Sequence, residues 1–95
     1  MLTKQQSRER WRELRNLVNE WDPIGLISAG SPEDEYECVV GPVLRMLETS
    51  ETPEAIGAYL EREFAEHFGM PGIAASDFAR QTLQWYRERW PGSIL

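Results

Sequence analysis

Glu33, Asp34, Glu35 and Glu37 crowd four carboxylates into five positions, and Asp22 stands eleven residues before them. Carboxylates this close can hold a divalent cation, work as a paired acid and base, or meet a cationic partner. The run lacks the spacing of a calcium loop, which needs a glycine at its sharp turn. A structural account competes with all three. Ser31-Pro32 in front of the acids is a helix start, and acids in a first turn suit the positive end of the helix dipole.

His67 is the only histidine and Cys38 the only cysteine. Glu63 lies four residues before His67, so the two share a helix face. That pair would begin a metal site, but a metal asks for about three or four ligands and no second imidazole exists. No metal and no cofactor is therefore expected. His67 in the last turn of a helix also suits the negative dipole end, or sits half buried against Glu63. Cys38 and His67 would be a nucleophile and its base. Glu37 beside Cys38 disfavours a thiolate, so a buried or half-buried structural cysteine is the competing reading. Gly69-Met70-Pro71-Gly72 follows a helix rather than a strand and fits no phosphate cradle. Lys4, Arg8, Arg12 and Arg15 make a basic stripe that Glu9 and Glu13 interrupt, as on a solvated face.

The elements that must carry these residues read as helices. The first runs from Thr3, a hydroxyl cap, to Glu20 or Trp21, with Trp11, Leu14, Val18 and Trp21 as its inner stripe and Leu17 beside it. Arg8, Arg12, Arg15 and Asn19 take its wet face. Pro23 stops it by forcing the preceding residue out of the right-handed helical region. Segment 22–31 is an ordered loop, because Ile24, Leu26 and Ile27 are too apolar for a free linker.

The second helix is expected from Ser31-Pro32, with Tyr36, Val40, Val43, Leu44 and Leu47 facing inward. Gly41-Pro42 falls inside it, so a kink or a split is expected there. Thr52-Pro53-Glu54 opens the third, whose inner face is Ile56, Tyr59, Leu60, Phe64, His67 and Phe68, with Gly69 as its stop. Ser76-Asp77 caps the fourth, in which Phe78, Ala79, Leu83, Tyr86 and Trp90 repeat at helical intervals until Pro91-Gly92. The sum is an all-α fold: one domain over 1–95, a compact irregular bundle of about four helices, with the second kinked or split at Gly41-Pro42.

Composition narrows the function classes. Ninety-five residues with 41% hydrophobic content and ten aromatic side chains support one core. One cysteine excludes an internal disulfide, and no apolar run approaches the ~20 residues of a membrane span. The N-terminus lacks a signal-peptide core, so a cytoplasmic location is expected. A net charge of −6 argues against nucleic acid. Residues 1–20 hold five basic and three acidic side chains, residues 21–70 two and eleven, residues 71–95 three and two. The middle is strongly acidic between mildly basic ends, an imbalance that helix packing would partly pair internally.

Trp21-Asp22-Pro23-Ile24-Gly25, then Asp34-Glu35-Tyr36, then Gly41-Pro42 before Leu44 and Leu47, resembles the YugE-like domain, a family of small bacterial proteins. The likeness covers about residues 12–70 and extends to Ile56, Tyr59, Leu60 and Glu66-His67; Phe68 departs from it where methionine is expected. It implies an all-helical fold in a bacterial cytoplasm and no activity. The residues themselves admit a mechanical reading. Asp22 accepts from turn amides and Tyr36 packs on Trp21 or Pro23 while reaching a carboxylate, so Trp21, Asp22, Pro23, Gly25 and Tyr36 form a structural latch.

Three functions stand open. The favoured one is a non-catalytic binding module, inhibitor- or immunity-like, presenting Asp22, Glu33, Asp34, Glu35 and Glu37 to a basic protein. The second is a small-ligand, metal-binding or enzymatic site of Asp22, Asp34, Glu35 and His67. The third is a structural homodimer burying Trp85 and Trp90.

Overall fold

A hydroxyl cap starts the first helix. Thr3 accepts the Gln6 amide at 3.1 Å while the Gln6 side chain accepts the Thr3 amide at 3.0 Å, a reciprocal box that satisfies two orphan donors. The computed structural model describes residues 3–32 and 34–90. In it α1 spans Lys4–Trp21, α2 Glu37–Glu48, α3 Pro53–Glu66 and α4 Ser76–Arg89. Among the described residues there is no strand. Each helix packs on the one that follows, and α4 closes back on α1. The fold is the all-α bundle of about four helices that the apolar periodicity implies.

Asp22 ends α1 in the left-handed conformation, φ 44 and ψ 58. That departs from the extended backbone expected before proline. Its amide still reaches the Val18 carbonyl at 2.9 Å, and the left-handed turn swings the chain back toward the bundle. Asp tolerates this region because its short side chain hydrogen-bonds locally.

The second helix starts later than its Ser31-Pro32 signal suggests. Residues 34–36 form turns, closed by Glu35 N–H to the Pro32 carbonyl at 3.3 Å and Glu37 N–H to the Asp34 carbonyl at 3.1 Å, and α2 begins at Glu37. Of the described acids in the run only Glu37 lies in a first helical turn, so the dipole does not account for Asp34 and Glu35. Glu33 and the Pro91-Gly92 stop lie outside the described residues. Nor is α2 split: it continues through Pro42, and the carbonyl deprived of a donor belongs to Cys38, which is exposed. Its end is a Schellman turn, with Ser50 at φ 61 and Glu51 N–H bonded to the Met46 carbonyl at 3.0 Å.

α3 opens as its sequence prescribes: Thr52 accepts the Ala55 amide and Pro53 takes the first position. α4 opens differently. Ser76 does not cap it; the boundary residue is Ala75, whose amide is taken instead by the Glu61 carboxylate at 2.9 Å. A side chain from α3 thus anchors the start of α4.

Phe64 sits at the centre of the core, fully buried, with ring neighbours on every side: Trp21 at 5.5 Å, Phe68 at 5.1 Å and Tyr36 at 6.1 Å. Trp21 stacks on Phe78 at 4.2 Å, joining the end of α1 to the first turn of α4. Removing a ring so placed costs about 3–5 kcal/mol. The inner stripe of α1 is Arg10, Leu14 and Val18, with Trp11 only half buried. Ile24, Leu26 and Ile27 all pack against the core from the loop, which explains why that loop is apolar.

Candidate functional site

Asp22 is the most heavily hydrogen-bonded carboxylate of the described residues. One oxygen accepts the Ile27 amide at 3.0 Å and the Tyr36 hydroxyl at 2.6 Å; the other accepts the Ser28 amide at 2.9 Å and the Ser28 hydroxyl at 2.6 Å. The loop reaches this geometry because Gly25, at φ 73, lets the chain double back: its amide bonds the Asp22 carbonyl and its carbonyl takes the Ala29 amide. Pro23, half buried, rigidifies the first step.

Burial on its own would raise the Asp22 pKa. The donors from the Ser28 and Tyr36 side chains and from the Ser28 and Ile27 amides outweigh it and hold the carboxyl well below the usual carboxylate range. Across the bond, burial first and then the Asp22 carboxylate push the Tyr36 hydroxyl up to about 12. The Tyr36 oxygen also takes the Leu26 amide at 3.4 Å. Its ring packs on Phe64 and Phe68 rather than on Trp21 or Pro23. The result ties the end of α1, the loop and the start of α2 through one carboxylate.

Such a carboxylate has little capacity left for a partner, because both its oxygens are occupied and turned toward the loop. The remaining candidates separate. Asp34 and Glu35 are exposed. Glu37 is half buried and faces Arg15 at 3.7 Å, so Arg15 is not on a wholly wet face. His67 caps the end of α3 exposed, neither inside the core nor half buried against Glu63, and stands edge-on to Phe68 at 5.2 Å. Its place on the inner face fails: past Glu66 the chain packs Phe68, not His67, against the core. Among the described residues no hydrogen bond or ion pair joins Asp34, Glu35 or His67 to Asp22, and no group of three His, Cys, Asp or Glu could hold a metal ion.

Cys38 is exposed rather than buried or half buried, because α2 turns Val39, Val40 and Val43 inward and leaves it outside. Desolvation of its sulfur and the nearby Glu63 carboxylate push the thiol up, away from the range of a nucleophile. The same carboxylate, after burial, raises Tyr59.

Sequence reasoning missed Arg10. It is only 3% exposed. Its guanidinium donates to the Tyr86 hydroxyl and to the Glu48 carboxylate and lies over the rings of Tyr86 at 5.2 Å and Trp90 at 5.7 Å. Arg10, Leu14 and Val18 recur every four residues, which was the available signal; an arginine in that row reads as polar and hides it. Planar delocalised charge and an apolar stem make arginine the cation that tolerates such a place.

Trp90 is 8% exposed beneath the Arg10 and Arg89 guanidinium groups, and Trp85 is partly buried. Trp90 is thus largely covered within the fold, whereas Trp85 keeps part of its surface open. Met70, at 44%, is the large apolar side chain that stands out among the described residues. Among the described residues, ion pairs of Arg10 with Glu48 and Arg15 with Glu37 join α1 to α2, and Arg89 with Glu13 at 3.2 Å joins α4 to α1. Part of the basic ends thus neutralises acids within the fold.

Open grooves mark the described surface. One of about 290 Å³ is lined by Asn16, Asn19, Glu20 and Ile27. Another of about 510 Å³ runs along α4 beside Pro53, and a small one of about 30 Å³ adjoins it at Pro53 and Arg80. None is lined by Asp22, Asp34, Glu35 or His67. Among the described residues no helix is long and apolar enough to cross a membrane. No family model, curated protein or solved structure matches this chain.

Proposed function

We propose that this chain is a non-catalytic protein-binding module whose acidic turn receives a basic protein, in the manner of an inhibitor or immunity protein of a bacterial cytoplasm. The observation that supports it is the position of Asp34 and Glu35. Both stand exposed on the turn before α2, and neither has an ion pair among the described residues, whereas Arg10, Glu48, Asp22 and Tyr36 spend their polar groups inside the fold. Unpaired rim charges of one sign steer encounter more than they add affinity. Glu37 flanks the turn, shared with Arg15. Asp22 leaves the partner surface in this reading and serves to shape it. The YugE-like resemblance belongs to the same reading: the bond between Asp22 and Tyr36 gives its two signature clusters a physical reason to occur together.

The test immobilises the purified chain and the variant Asp34→Asn/Glu35→Gln/Glu37→Gln, and exposes both to extract of the native cell. A basic protein captured by the first and lost from the second is then measured with purified components. Association should slow by about tenfold or more between low and physiological salt, and the variant should show most of that loss at low salt. An association rate indifferent to both salt and the three substitutions overturns the proposal.

A further inference from the structure

We draw no further inference here: the strongest candidate, the groove of about 510 Å³ between Pro53 at the start of α3 and the Arg80, Leu83, Gln84, Arg87 and Glu88 face of α4, carries arginines offset by Glu88 and by the Asp77 partner of Arg80, and nothing in the structure shows what covers it.

Discussion

Tyr36 donates its hydroxyl to Asp22 at 2.6 Å across fourteen residues of chain. The tyrosine is fully buried, and the aspartate sits in a left-handed turn that only a few residue types accept. The pair therefore closes the loop between α1 and α2 at its two ends, while the Ile27 and Ser28 amides and the Ser28 hydroxyl fill the remaining lone pairs. Asp22→Asn keeps the turn, because Asn tolerates the left-handed region as well as Asp does. It removes the charge and turns an amide toward donors, so a loss of about 2–3 kcal/mol is expected. Tyr36→Phe leaves Asp22 its other donors and should cost about 1–2 kcal/mol. The double variant should lose clearly less than the sum, as residues in one network do. Urea unfolding of the four proteins measures this; strict additivity would mean the two side chains stabilise the loop independently.

The same pair fixes two pH dependences of opposite sign. The Asp22 pKa is lowered on folding, so its contribution is complete above the unfolded value near 3.8 and is lost as pH falls below it. The stability gap between the wild type and Asp22→Asn should hold from neutral pH down to about 5 and narrow steadily below about 4. The Tyr36 pKa is raised from 10.0 to about 12, so its contribution is complete below 10.0 and fades as pH rises through 12. Phenolate absorbance should show a late step that Tyr36→Phe reduces, while the raised Tyr59 phenol remains in both proteins.

At the other end of the bundle Arg10 poses a buried-charge problem. Glu48 supplies the anion but is itself partly solvated, so screening reduces what the pair contributes. Glu48→Gln takes a carboxylate away from a nearly enclosed guanidinium and should cost about 1–2 kcal/mol, less than a fully buried pair would. Arg10→Met in that background removes the buried charge and fills much of the volume, so part of the loss should return. Thermal unfolding of the single and double variants decides it. A double variant worse than Glu48→Gln would show that the Arg10 contacts with Tyr86 and Trp90 outweigh its pairing.

The contrast between these two ends explains what the sequence made legible. Helix α3 was readable because Thr52-Pro53-Glu54 states its start and Ile56, Leu60 and Phe64 keep one face. The start of α2 was not, because Ser31-Pro32 is a helix signal locally while the Asp22 carboxylate holds Tyr36 where the turn must be, a pairing fourteen residues long that no local pattern contains. Arg10 escaped for the same kind of reason. Its burial is offset by Glu48 on α2, Tyr86 on α4 and Trp90 just past the end of α4. Ser76 resembled a cap, but Glu61 on α3 supplies the acceptor at that boundary. Long-range polar contacts, not misjudged propensities, separate the expected elements from the observed ones.

Two glycines should respond oppositely to alanine. At Gly57 in α3 an added Cβ would meet the Ala75 carbonyl oxygen at 3.6 Å and the Ala79 Cβ at 3.7 Å, ordinary contact distances. Gly57→Ala therefore gains helix propensity without a clash and should stabilise by about 0.5–1 kcal/mol. At Gly25 the space is open, but φ is +73. Gly25→Ala should destabilise by about 1 kcal/mol, and it should loosen the loop that Asp22 organises. Denaturation midpoints give the signs, and amide exchange at Ile27 and Ser28 should quicken in Gly25→Ala alone.

Thr82 offers the last test, in the interior of α4. Its side chain is fully buried, and its hydroxyl has no hydrogen-bond partner among the described residues. A hydroxyl taken from water without a partner costs about 1–3 kcal/mol, while its methyl packs as any apolar group does. Thr82→Val keeps the branched shape and removes only the stranded oxygen, so it should raise stability by about 1 kcal/mol. Thr82→Ser keeps the hydroxyl, removes the methyl and should lose about 1 kcal/mol instead. Opposite shifts in unfolding midpoint for the two variants would establish that the hydroxyl is a burden on the core. A destabilised Thr82→Val would mean that the oxygen is held after all, with the carbonyl one turn earlier in α4 as its nearest acceptor by helix geometry.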